Sequence, residues 1–131
     1  MADVKANSLL AALARKHGAV VAGTPQAQIV PELTPSSQDF VIKRSSGLIG
    51  FIGTSLDAML RRMNVETIVI AGVSTDVAMT GCAMVATDRG YRVVIVEDCT
   101  AASDPATHEV IVRDQLAMIA RVASRKRSPP R

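Results

Sequence analysis

The sequence predicts an α/β domain built on a parallel sheet. In the second half of the chain, strand patterns alternate with helical patterns, and strands joined through helices favour right-handed crossovers between parallel neighbours. Residues 65–73 are apolar except for Glu66 and Thr67, which is typical of a strand covered on both faces of a parallel sheet. The length of 131 residues and the hydrophobic content of 48% suit one such domain, although only 2% of residues are aromatic.

The first half of the chain predicts one helix and two strands. Leucines recur at helical spacing near the N-terminus, and three prolines mark a surface loop between the strands. In chain order, these elements are a helix over 7–16 stopped by Gly18, a strand over 19–22, a loop over 23–37 and a strand over 39–43.

The second half predicts three helices and two strands. The helix starts depend on Thr and Asp side chains, which can accept hydrogen bonds from unpaired N–H groups, and on a proline in a first turn. In chain order, these elements are a helix over 55–64 capped by Thr54, the strand over 65–73, a helix from Asp76 to about Arg89, a strand over 91–96, and a helix opened by Asp104 and Pro105.

The net charge of +3 is located at the C-terminus. Residues 121–131 contain five Lys or Arg residues and no acid, so the rest of the chain has 10 basic and 12 acidic residues. We therefore expect a slightly acidic domain over 1–122 and a basic, disordered tail over 123–131. A nucleic-acid-binding arm is the alternative for the tail. It lacks aromatic residues for base stacking, so we expect no nucleic-acid partner beyond nonspecific attraction to phosphate.

The composition also indicates the compartment. No apolar run reaches the length of about 18 residues that a membrane span needs, and the N-terminus lacks the pattern of a signal peptide. Cys82 and Cys99 suit buried thiols in a reducing compartment better than a disulfide framework or a metal cluster. We expect a soluble, cytoplasmic protein with no metal, no cofactor and no membrane partner.

Segment 72–78, Gly-Val-Ser-Thr-Asp-Val-Ala, resembles the nucleophile turn Gly-Val-x-Thr-x-x-Cys of the isochorismatase-like (cysteine hydrolase) family. The loop at 23–33, the segments 40–43 and 50–56, and the residues 90–98 resemble further family motifs, so the likeness runs from about residue 7 to residue 123. It implies a three-layer, doubly wound parallel sheet of Rossmann-like topology. It also implies hydrolysis of a small amide or vinyl ether without a dissociable cofactor.

The resemblance also implies which residues carry the site. In the family an aspartate, a lysine and a cysteine converge, and here Lys43 takes the lysine position while Ala78 takes the cysteine position. The family's oxyanion hole uses backbone N–H groups, which would be those of Ser74 and Ala78, with Thr75 in the same turn. A methyl group cannot attack a substrate, so thiol-based catalysis is not expected. Cys82 lies one helical turn further on and cannot replace the missing thiol.

Two features leave the activity open. True isochorismatases lack the cysteine and use the aspartate as an acid, so loss of the thiol alone does not imply inactivity. The family aspartate, however, ends a first strand, and residues 1–6 have no apolar run that could form one. We expect that strand to be missing. Another chain then fills the gap, the sheet closes differently, or the start codon lies downstream of the true one.

The favoured interpretation is a catalytically impaired isochorismatase-like hydrolase that binds a small-molecule substrate or anion and forms a homo-oligomer. The alternative is a non-enzymatic homo-oligomerising or partner-binding module that uses an exposed sheet edge and the small-residue helix 77–86. A nucleic-acid accessory protein is a third class and depends on the tail alone.

The remaining polar candidates have structural interpretations: Asp76 as a helix cap, Glu97 and Asp98 as loop-fixing groups, His17 at a helix end, and His108 at the surface or core edge.

Overall fold

The computed structural model describes residues 7–18 and 21–125. The chain divides into two compact units, residues 1–41 and residues 42–131. The first unit contains the helix α1 (Leu9–Lys16) and two 3-10 turns, Pro25–Ala27 and Pro31–Leu33. The Ser8 hydroxyl accepts a hydrogen bond from the Ala11 N–H at 3.2 Å and so caps α1. The helix expected over 7–16 is therefore confirmed.

The second unit contains the remaining helices and the sheet. In chain order, its elements are α2 (Leu56–Arg62), β1 (Thr67–Val73), α3 (Thr80–Asp88), β2 (Arg92–Ala101), α4 (Pro105–Ile111), α5 (Ala117–Ile119) and β3 (Arg121–Ala123). Single π-helical turns, Thr75–Met79 and Val112–Leu116, precede α3 and follow α4. The three strands are parallel, in the order β1-β2-β3. The α/β class and the parallel sheet are confirmed.

The strand β3 is an element that the sequence did not predict. It pairs with β2 through Val122, which lies opposite Ile95, and it includes Ala123, the first residue of the expected tail. The backbone N–H of Arg125 then donates to Asp98 at 2.8 Å, which holds the pKa of that carboxyl below its usual value. Residues 126–131 of the expected tail lie outside the described residues.

The strand predicted over 39–43 is wrong. None of these residues lies in a strand, and Phe40, Val41 and Lys43 are exposed. A strand is held by hydrogen bonds to a neighbouring strand, and among the described residues the ladder contains only β1, β2 and β3. The strand predicted over 19–22 is also not formed at Val21 and Ala22, whereas residues 19 and 20 lie outside the described part.

The core lies on one face of the sheet. Ile95 and Leu116 are fully buried, and Ile70 is nearly so. On the opposite face of β1, Val69 is 63% exposed and Val73 is 72% exposed. The expectation that this strand is covered on both faces is therefore wrong for the described residues, because the core packs against one face and the side chains of Val69 and Val73 on the other face are exposed.

The pairing of β1 with β2 is irregular near its carboxyl end. Ile70 lies opposite Ile95, but Gly72 lies opposite Thr100, so Ala71 alone faces four residues of β2. Extra residues of this kind bulge one strand relative to its partner. As a result, β2 continues to the end of β1, and α4 begins beside the turn that follows β1.

A polar cluster ties α2 to the end of α3 and the start of β2. The hydroxyl of Tyr91, which is buried, donates to Asp57 Oδ1 at 2.8 Å, and Arg89 Nη1 lies 2.8 Å from Asp57 Oδ2. The hydrogen bond from Tyr91 holds the pKa of Asp57 below its usual value. Burial, together with this hydrogen bond, raises the pKa of Tyr91.

Candidate functional site

The site predicted from the sequence is the turn that joins β1 to α3. It begins after the cis peptide bond between Val73 and Ser74 and continues as the π-helical turn Thr75–Met79. The Met79 N–H donates to the Ser74 carbonyl at 3.0 Å and closes this turn. The N–H groups from Thr75 to Ala78 precede that bond, so they have no acceptor within the helix. These backbone donors lie at the carboxyl edge of the sheet, where Thr75 is buried, Asp76 is exposed, and Val77 and Ala78 are half-buried.

Thr75 anchors this turn. It is completely buried, and its carbonyl accepts a hydrogen bond from the Thr80 hydroxyl at 2.7 Å. Its own hydroxyl lies 2.8 Å from Nδ1 of His108. Thr75 is therefore bonded to its own helix on one side and to α4 on the other.

His108 contacts this turn, although its sequence pattern predicts only a residue at the surface or core edge. It is half-buried in α4. As predicted, α4 starts at Asp104 and Pro105, and Asp104 Oδ2 accepts a hydrogen bond from the Thr107 N–H at 2.8 Å. The sequence holds a signal for this contact, because a helix that starts directly after a parallel strand places its first turn at the carboxyl edge of the sheet.

The residue at the family's cysteine position, Ala78, is partly buried within the π-helical turn. Cys82 is half-buried one helical turn later, and its Sγ accepts a hydrogen bond from the Gly50 N–H at 3.3 Å. A Cβ atom on Gly81 would lie 2.9 Å from Ile49 Cγ1. The segment around residues 49–51 thus packs closely against α3 just beyond Ala78, and Cys82 serves as a small packing residue there.

Lys43 belongs to the same unit as the turn but makes no polar contact with it. Its side chain is exposed, and among the described residues it has no hydrogen bond or ion pair. Ile49 follows Lys43 by six residues in sequence, and its side chain lies against Gly81 of α3. The structure therefore brings Ser74, Thr75 and Ala78 together in one turn. Lys43 lies on the segment that leads to α2 and has no ion-pair partner within the described part of the chain.

Three other expectations have clear outcomes. Asp76 does not cap its helix: it lies in the first turn, Ser74 is in the cap position, and no side chain caps that end. Asp98 does fix a segment, since it holds the backbone after β3. Cys99 is exposed within β2, so its expected burial is wrong because β2 extends past the predicted end at residue 96.

Within residues 7–18 and 21–125, no group of three His, Cys, Asp or Glu side chains could hold a metal ion. The helices in that part of the chain are also too short or too polar to cross a membrane.

Known proteins resemble this chain in sequence and in fold. Residues 4–127 match the family model described as the isochorismatase domain. The chain belongs to the isochorismatase family. This chain is 37% identical over 84 residues to an uncharacterised isochorismatase family protein, YecD, of Escherichia coli O157:H7. The match covers 64% of this chain and 44% of that protein. The chain is 34% identical over 90 residues to ureidoacrylate amidohydrolase RutB of Cronobacter sakazakii, covering 68% of this chain and 38% of that enzyme.

A solved structure with the same fold is N-carbamoylsarcosine amidase from Thermoplasma acidophilum. It has 29% sequence identity and a TM-score of 0.73, and the match covers 89% of this chain and 66% of the amidase. The chain spans less than half the length of the curated relatives given above.

Proposed function

We propose that this isochorismatase-family chain binds the anionic or polarised group of a small amide or vinyl-ether substrate at the turn of residues 74–78. The observation that carries the proposal is the closure of the turn by the Met79–Ser74 hydrogen bond, which leaves the preceding N–H groups without acceptors in the helix. Amides at a helix start, combined with the helix dipole, favour a bound anion. RutB and the Thermoplasma protein are named as an amidohydrolase and an amidase, which supports an amide as the substrate class.

In this proposal Lys43 is the cation that accompanies the bound anion. It has no competing ion pair among the described residues, and the segment that follows it packs against α3. Because Ala78 stands where the resemblance places the cysteine, the chain binds its ligand without forming a thioester. Catalysis by a thiol is therefore impaired.

A titration with acetate and with its neutral, similarly shaped amide, acetamide, tests this binding. We expect acetate to shift the amide NMR signals of residues 74–78 more than acetamide does, and Lys43→Ala to weaken acetate binding about fivefold, as loss of one charge contact near a surface would. Arg44→Ala is the control, since Arg44 is the neighbouring exposed cation and its guanidinium donates to the Gly47 carbonyl at 3.2 Å. Absence of acetate-induced shifts in residues 74–78 of the wild type would overturn the proposal.

The second candidate function is a homo-oligomerising or partner-binding module. The exposed face of β1, with Val69 and Val73, favours it, because contiguous exposed apolar residues mark interaction surfaces. β1 is also an edge strand of the described sheet.

Light scattering separates the second candidate from a monomeric binding domain. We expect the wild type to form a dimer or larger oligomer, and Val69→Lys to reduce its mass to that of one chain. Met118→Lys is the control, because Met118 is 79% exposed and belongs to α5 rather than to β1. A monomeric wild type at micromolar concentration contradicts self-association.

A further inference from the structure

The hydrogen bond between Thr75 and His108 joins two elements that are 33 residues apart in sequence. Thr75 is completely buried, so water cannot replace His108 as the partner of its hydroxyl. A buried polar group that loses its partner destabilises the conformation that buries it. The conformation that buries Thr75 is that of the turn carrying the N–H groups of residues 75–78.

We propose that His108 is a positioning residue that holds the anion-binding turn in place through the Thr75 hydroxyl. This inference rests on the proposed function for the role of the turn, but the tether between α4 and the turn can be measured without any ligand. His108 acts through Thr75 and does not itself need to contact the substrate.

The two bonds of Thr75 have different consequences. The bond from the Thr80 hydroxyl to the Thr75 carbonyl lies within one continuous helical segment and moves with it. The bond to His108 crosses to α4, whose position depends on the extension of β2 beside β1. It is therefore a contact that ties the turn to an element other than its own helix. Backbone donors stabilise a developing or bound anion only when they are held in a fixed orientation.

The geometry also predicts which replacements preserve the tether. The Thr75 hydroxyl bonds to Nδ1, the ring nitrogen nearer the backbone. An asparagine side chain places an amide atom near that position, whereas leucine fills similar space without a hydrogen-bonding group. His108→Asn should therefore keep the tether, and His108→Leu should remove it.

The experiment compares His108→Leu, His108→Asn and Thr75→Val with the wild type. The first readout is hydrogen exchange of the Met79 amide, which bonds to the Ser74 carbonyl, and the second is acetate affinity by NMR titration. We expect His108→Leu and Thr75→Val each to speed exchange of the Met79 amide about tenfold and to weaken acetate binding about fivefold. Because both substitutions remove the same hydrogen bond, the double variant should show no further change in either readout. His108→Asn should remain within about twofold of the wild type on both readouts.

Thr87→Val is the matched control. Its hydroxyl bonds to the Ile119 carbonyl at 3.2 Å and so forms another contact from α3, away from the turn. We expect this variant to leave Met79 exchange and acetate binding unchanged. If His108→Leu does not fold, Thr75→Val compared with Thr75→Ser, which keeps a hydroxyl, provides the same test.

The outcomes separate the two proposals. No acetate binding in the wild type, together with faster Met79 exchange in His108→Leu and Thr75→Val but not in His108→Asn, overturns the anion-binding function and retains the tether. Unchanged exchange in His108→Leu, or equal acceleration in His108→Leu and His108→Asn, overturns the positioning role.

Discussion

An Ala78→Cys variant should react with iodoacetamide at pH 7 about tenfold faster than a cysteine placed at Met84, because a thiol at a helix start is more fully ionised than an ordinary one. Ala78 lies in the π-helical turn, directly before Met79, whose N–H makes the bond that closes the turn. The positive end of the helix dipole lies at this helix start and favours a thiolate. Met84 is in the same helix but beyond its first turn, and it is 48% exposed. The comparison therefore tests the electrostatic effect of the helix start.

Both cysteine variants should be made in a chain without the natural thiols, with Cys82→Ala and Cys99→Ser as the background. The alkylation rate measured from pH 5 to pH 9 separates the pKa of each thiol from its accessibility. Adding Lys43→Ala to the Ala78→Cys chain should raise the thiol pKa if Lys43 approaches the turn. A thiol at position 78 whose pKa equals or exceeds that of the thiol at position 84 would contradict an anion-stabilising turn.

Leu116→Ala should lower the free energy of unfolding by about 2–5 kcal/mol, the range for removing a buried leucine side chain from a packed core. Leu116 is completely buried and ends the π-helical turn that follows α4. A loss of this size is a large fraction of the stability of an ordinary domain. Because the same helical segment carries His108, the variant should also loosen the turn after β1.

Met118→Ala is the matched control for this prediction. The two positions are two residues apart, but Met118 is 79% exposed, so its truncation should change the free energy of unfolding by no more than about 0.5 kcal/mol. Urea unfolding followed by far-ultraviolet circular dichroism measures both variants. Equal destabilisation by the two substitutions would show that the helical segment is not packed as described.

The parts of the fold that could be predicted are those encoded by local sequence. The long apolar run of β1 and the Asp104–Pro105 start of α4 both have local signals, and the structure confirms them. The strand predicted over 39–43 has the same kind of local pattern, but a strand also needs a neighbour with free backbone groups. That requirement cannot be read from residues 39–43 themselves.

In the candidate site, too, features encoded by local sequence could be predicted and contacts with distant residues could not. Ser74, Thr75 and Ala78 are adjacent in sequence, so their common turn could be predicted. The contact between Thr75 and His108 depends on the irregular pairing of β1 with β2, which determines where α4 begins. β3 was missed for a related reason, because three residues beginning with an arginine give little pattern and form a strand only beside β2.

The arrangement around Tyr91 has a practical consequence for spectroscopy. The chain has one tyrosine and no tryptophan, so nearly all of its near-ultraviolet signal comes from a single buried phenol bonded to Asp57. A change in absorbance or emission therefore reports on the junction of α2, α3 and β2 alone. Ligand titrations followed by intrinsic fluorescence would be silent for events confined to other parts of the molecule, and isotope-based or calorimetric detection suits them better.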